Sequence, residues 1–147
     1  MVTLAYPIVD NEGRTLFTAK ELASSDTGEV EIEPAFYDRI KVLRIKYNRP
    51  MYVTSCCRTI AHNIKVGGHP RSLHLTNNHA WRGHDGKNLK TCAMDIRMPP
   101  GADLHRFMSQ ALALSFSVGL NRFKSFVHID LRTAVLNKDP KVFIYIS

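Results

Sequence analysis

Apolar residues recur along the chain with two periods. Phe36, Ile40, Leu43 and Tyr47 follow helical spacing, and Pro34 suits a first helical turn. They predict a helix with one buried stripe, stopped by Asn48, Arg49 and Pro50. Upstream, Thr18 and Glu21 have the spacing of a capping box, opening a short helix that Asp26, Thr27 and Gly28 end. The strongest amphipathic stretch spans 102–118, after a break at Pro99, Pro100 and Gly101, with Leu104, Phe107, Met108, Ala111 and Leu112 on one face. Short β-rich runs at 50–55, 91–98, 119–123, 125–132 and 141–146 read as strands. Residues 59–66 suit a helical turn or two, and Gly67 to Pro70 is a loop. The segment 77–90 is polar, contains glycine and shows no apolar period, so it reads as one long loop of the functional kind.

These elements predict an α+β fold, a small and mostly antiparallel sheet packed with two to three helices. At 147 residues the chain suits a single domain over 1–147, long enough to bury a core without staples. No apolar run reaches membrane-spanning length, and the N-terminus lacks the basic start and apolar block of a secretory signal. The expectation is synthesis in the cytoplasm with no membrane span. Three cysteines without a CxxC spacing predict reduced, mostly buried thiols rather than a disulfide framework or a cysteine zinc site. The formal charge of +7 attracts anionic polymers, nucleic acid and bacterial wall among them. The basic residues are spread out and form no nucleic-acid module, so nucleic acid is not the expected partner.

Seven histidines prompt a search for a metal site. A catalytic zinc takes three protein ligands and leaves a position for water. Three segments offer ligands: Ser72, Leu73 and His74 after the Gly-Gly loop; Ala93, Met94 and Asp95; and Phe126, Val127, His128, Ile129 and Asp130. In a strand, Asp95 faces away from Met94 and Ile96, and His128 and Asp130 face away from Val127, Ile129 and Leu131. Two strands would then each present polar groups from a face whose reverse is buried. Taken singly, such a histidine also reads as a hydrogen-bonded structural residue, and such an aspartate as a partner for Arg97 or Arg132.

Taken in order, Phe17 to Glu21, Ser55, Arg58, Asn63, Val66, Gly67, Gly68, Ser72, His74, Thr76, Ala93, Asp95, His128 and Asp130 resemble the D-Ala-D-Ala carboxypeptidase family of zinc peptidases. That family shares its fold with the Hedgehog signalling domain and includes phage endolysins. The resemblance covers roughly residues 17–132. It implies one zinc ion held by His74, Asp95 and His128. It also implies that Arg58 binds a substrate carboxylate or the polarised carbonyl, and that Ser72 contacts substrate. The expected substrate is a peptide of bacterial peptidoglycan, cut by a D,D-carboxypeptidase or an L-Ala-D-Glu endopeptidase. The small chain and missing signal suggest a monomeric phage or prophage lysis protein acting on the wall after release.

Two departures stand out. Twenty residues separate His74 from Asp95, because 77–90 looks inserted. The insert carries His79, His84, Asp85 and Trp81, and reads either as a surface loop anchored by Trp81 or as a lid whose Trp81 or histidine touches substrate. Where several relatives place a carboxylate three residues before the last histidine ligand, this chain has Ser125. Asp130 is the nearest carboxylate, either orienting His128 or serving as the base. Glu21, His79, His84 and Asp85 are further base candidates. Arg71 reads as solvated, and His62 and His105 as ordinary helical surface residues. Two alternatives follow: a zinc-containing wall-binding module without hydrolysis, and an unrelated α+β protein, for instance one that binds nucleic acid, whose histidines are incidental.

Overall fold

A computed structural model of the protein describes residues 6–98, 103–121 and 125–145. The expected break at Pro99, Pro100 and Gly101 lies outside them, as do the start of the helix at 102 and the ends of two strands at 122–123 and 146. A small hairpin, β1 (Ile8–Val9) with β2 (Thr15–Phe17), opens the described chain. The capping box forms as expected: the Glu21 amide donates to Thr18 Oγ1 at 3.1 Å, and the Thr18 amide donates to Glu21 Oε1 at 3.0 Å. The helix it opens, α1 (Ala19–Leu22), ends well before Asp26. Helix α2 (Pro34–Tyr47) buries Phe36, Ile40, Leu43 and Tyr47 and stops at Asn48, whose φ of 55° closes it in the left-handed conformation.

The main sheet has five strands in the order β3 (Tyr52–Ser55), β6 (Ala93–Arg97), β8 (Phe126–Asp130), β7 (Ser117–Asn121) and β9 (Val142–Tyr145). The first four are antiparallel, and β9 runs parallel to β7. Its core face presents Met94, Ile96, Val127, Ile129 and Val118, all buried, beneath α2 and α4 (Leu104–Ala113). Edge-on aromatic pairs tie α2 to the approach to β7, Phe36 with Phe116 at 5.9 Å, and α2 to α4, Tyr47 with Phe107 at 5.2 Å. Two short helices, α3 (Ile60–Lys65) and α5 (Arg132–Val135), lie outside this core.

The structure is α+β, as the pattern predicts, with local differences. The helix expected over 102–118 ends at Ala113, Ser115 turns at φ 68°, and Phe116 and Val118 enter the core as part of β7 and its approach. Their apolar character extends the helical pattern, but pairing of β7 with β8 and β9 decides their conformation. The segment 77–90 is a hairpin rather than a loop: β4 (Asn78–Arg82) pairs with β5 (Asn88–Leu89). Its turn closes through the Gly83 amide on the Lys87 carbonyl at 2.8 Å, with Gly86 at φ 77°. Glu33 holds it from below, its Oε1 accepting from the Lys90 amide at 2.9 Å. Glu33 is buried against Gly83, where a Cβ would come within 2.6 Å of Oε1, so the hairpin docks at backbone distance. Polar hairpins lack an apolar period when their hydrogen bonds, rather than their side chains, supply the order.

Candidate metal centre

One row of residues crosses the face of the sheet turned away from the core. Ser55, Asp95, His128, Gly119 and Phe143 are successive register partners on β3, β6, β8, β7 and β9. Asp95 and His128 are therefore directly opposite on neighbouring strands, which brings their side chains together without any loop. Gly119 adds no side chain to the row, and the rings of His128 and Phe143 meet across it at 5.9 Å.

His74 arrives from the loop after α3, which is pinned on both sides. The Arg58 amide donates to the His74 carbonyl at 2.9 Å, and the Thr76 amide to the Arg58 carbonyl at 3.0 Å. On the other side, Thr91 Oγ1 donates to the His74 carbonyl at 2.9 Å, and the Cys92 amide to Leu73. Ser72 shapes the approach, its Oγ accepting from the His74 amide at 3.2 Å.

The result is a trio, His74, Asp95 and His128, whose potential ligand atoms all lie within 4.8 Å of one another. Among the described residues no other group of His, Cys, Asp or Glu side chains gathers in this way; His79, His84 and Asp85 of the hairpin do not. Both imidazoles are fixed from behind. His74 Nδ1 donates to the Cys56 carbonyl at 2.7 Å, which leaves Nε2 facing Asp95 Oδ1 at 3.3 Å. His128 Nε2 donates to Asp130 Oδ2 at 2.9 Å, which leaves Nδ1 facing the same Asp95 oxygen at 2.8 Å. Two ring nitrogens converging on one carboxylate, each ring held by a hydrogen bond on its far side, are the donor set and outer support that a divalent metal requires. The residues fit a metal ion.

The electrostatics follow from burial and from this crowding. Burial lowers the pKa of His74 and favours the neutral ring that ligates. For His128 burial acts the same way, but the hydrogen bonds to Asp130 and Asp95 outweigh it and lift the pKa to about 9 in the metal-free protein. Asp95, although burial opposes its charge, is held well below the usual carboxylate range by both histidines. Asp130 is fully buried, which opposes ionisation, yet Arg132 and His128 bring it down to about 2. Arg132 grips it through Nε at 2.8 Å and Nη2 at 2.6 Å, and its own amide donates at 3.1 Å.

Arg58, Ser72, His74, Trp81, Asp95, His128 and Asp130 all line one open cleft of about 720 Å³, whereas the further base candidates Glu21, His79, His84 and Asp85 do not line it. Arg58 is tethered beside the trio, donating from Nε to Ser55 Oγ at 2.9 Å and approaching Asp95 Oδ2 and Asn63 Oδ1 at 3.4 Å each. Asp95 does face away from the core, as its strand position predicts, but the His74 loop covers it and leaves it buried. The lining also includes Lys138 and Phe143, which sequence reasoning passed over, and the Cys56 carbonyl behind His74 is a backbone group that no side-chain pattern marks.

A His-Asp-His trio, two members on the sheet and one on a loop, in an open cleft of a small α+β fold defines the class: a protein able to hold a metal ion where a substrate can reach it. The family follows. The chain matches the model of the Peptidase M15 family over residues 15–130 and belongs to that family of metallopeptidases. Searches of curated proteins and of solved structures give no significant match. Among the described residues no helix is long and apolar enough to cross a membrane.

Proposed function

We propose that the protein is a zinc peptidase that hydrolyses a peptide bond in bacterial peptidoglycan, as a D,D-carboxypeptidase or an L-Ala-D-Glu endopeptidase, and that it serves phage or prophage lysis. The observation that carries the hydrolytic reading is the trio itself, with each imidazole tied back so that one ring nitrogen of each is turned to a common point beside Asp95. His74 Nε2, His128 Nδ1 and an Asp95 oxygen would hold the zinc ion. Bound there, zinc supplies Lewis acidity that polarises a carbonyl and acidifies water.

The chain's own groups do the rest. Arg58, anchored by Ser55, presents its guanidinium beside the trio, where it stabilises negative charge on the carbonyl oxygen or clamps a terminal carboxylate. Asp130 orients His128 rather than serving as base, since it is fully buried and both its oxygens are occupied by stronger donors. Ser72 and Trp81, which both line the cleft, contact the peptide.

A second reading has an observation in its favour. The cleft lining holds two carboxylates among the described residues, Asp95 and Asp130, both engaged, and Ser125 stands where several relatives carry a third. A module that binds the wall through its zinc site without cutting it is consistent with that lack. Digestion of purified peptidoglycan with and without a chelator, with mass analysis of the fragments, separates the two. Chelator-sensitive release of peptides supports the peptidase and its mass identifies the bond; zinc-dependent retention on the wall with no fragments supports the module.

A further inference from the structure

The cleft is electrostatically lopsided. Its lining sets Arg58, Arg71, Arg132 and Lys138 against Asp95 and Asp130. Arg132 is committed to Asp130, and Arg58 to Ser55 and Asp95. Arg71 and Lys138 are exposed, and among the described residues neither makes an ion pair.

The side chain of Lys138 and the main chain of Arg71 touch the 77–90 hairpin. Lys138 Nζ lies over the indole of Trp81 at 4.7 Å from the ring centroid, and the Arg71 carbonyl accepts from Asn78 Nδ2 at the start of β4. Two cations from different loops thus share the cleft with one aromatic ring, on the same continuous surface as the metal trio. A cation on an indole face is partly desolvated and keeps its N–H groups for an anion. A molecule extending from the trio along a cleft of this volume, which is ligand-sized, meets them.

We propose that this part of the cleft lining is a second recognition subsite, in which Arg71 and Lys138 take a carboxylate that the substrate peptide carries away from the bond to be cut, while Trp81 packs on the peptide's aliphatic part. The subsite rests on the reading of the cleft as a site for wall peptides, and it deepens that reading: the substrate class is a peptide with a free side carboxylate, and amidation of that carboxylate weakens recognition.

Trp81 is the chain's single tryptophan, so its fluorescence reports occupancy of the subsite directly. The zinc-loaded protein is titrated at low salt with L-Ala-D-isoGlu-L-Lys and with its amidated counterpart L-Ala-D-isoGln-L-Lys. The acidic peptide should bind about three- to tenfold more tightly, the range expected for two partly exposed charge pairs. Arg71→Gln and Lys138→Met should each reduce that preference and the double variant abolish it, with unchanged zinc content. Raising the salt concentration should shrink it as well. Equal affinity for the two peptides, no binding of either, an undiminished preference in the double variant, or tighter binding of inorganic phosphate than of the acidic peptide would overturn the proposal. A preserved preference in a protein that fails to digest peptidoglycan supports the subsite and removes only the hydrolytic reading.

Discussion

The sheet wall of the cleft and its loop wall hold their side chains by different means. On the sheet, Asp95 and His128 are opposite partners in a continuous antiparallel ladder whose reverse face is the hydrophobic core. A shift of one residue in register would expose Met94, Ile96, Val127 and Ile129, so core burial and site geometry are the same constraint. On the loop side, Trp81 is half-buried in a hairpin docked through a few hydrogen bonds to Glu33, Arg71 and Ser72, and Arg71 and Lys138 are exposed on the segments beside it. The first wall suits groups that must not move, and the second suits groups that select among ligands. His74 lies between the two: it is on a loop, yet buried and tied at its backbone and its ring.

The sharpest way to break this comparison is to remove a sheet ligand. Asp95→Ala or His128→Ala should abolish stoichiometric zinc binding, measured by metal analysis after dialysis, together with peptide hydrolysis. A variant that keeps both would show that the ligands lie elsewhere. Next in size, Asp130→Ala frees His128 to rotate and leaves Arg132 without its buried partner. Zinc affinity should fall by about 10- to 100-fold, and urea denaturation should report a loss of about 3 kcal/mol.

Gly68→Ala probes the junction of the two walls. A Cβ there collides with the Asn63 side chain and approaches Arg58 Nη1 at 3.2 Å. Because Asn63 is buried and donates to the His69 carbonyl, it has little room to yield, and a cost of about 1–3 kcal/mol is expected in thermal or urea unfolding.

A smaller effect concerns pH in the metal-free protein. The pKa of His128, raised to about 9 from an ordinary value of about 6.5, makes a contribution to stability that is complete below about pH 6.5 and is lost as pH climbs through 9. Asp130, lowered to about 2, contributes above about pH 4 and loses that contribution as pH falls toward 2. Urea midpoints in the presence of chelator should therefore be highest between these limits. Bound zinc should remove the alkaline loss, because it takes the place of the proton on Nδ1. The smallest expected change follows from Trp81→Ala, which should raise KM for peptide and leave zinc content alone.

Much of this molecule was readable in advance, for identifiable reasons. The α2 stripe, the capping box at Thr18 and the alternation of Met94 and Ile96 against Asp95 are local patterns, and each element formed where its pattern lies. The ordered set from Phe17 to Asp130 carried the family, because spacing between ligand-bearing segments is a property of the chain itself. The 77–90 hairpin, the early end of α4 and the short α5 were not readable. Their conformations are decided by a buried carboxylate from Glu33, by pairing of β7 with β8 and β9, and by the grip of Arg132 on Asp130.

Sequence alone determined the α+β class, the residue types able to bind a metal and the strand faces that carry Asp95 and His128. Tertiary structure decided that Asp95 and His128 stand in register, that the Cys56 carbonyl and Asp130 aim the two rings, and that Lys138 meets Trp81 in the cleft lining. The physical reason is range: periodicity and capping act over a few residues, whereas a metal centre is a coincidence of atoms brought together by hydrogen bonds between segments that lie far apart along the chain.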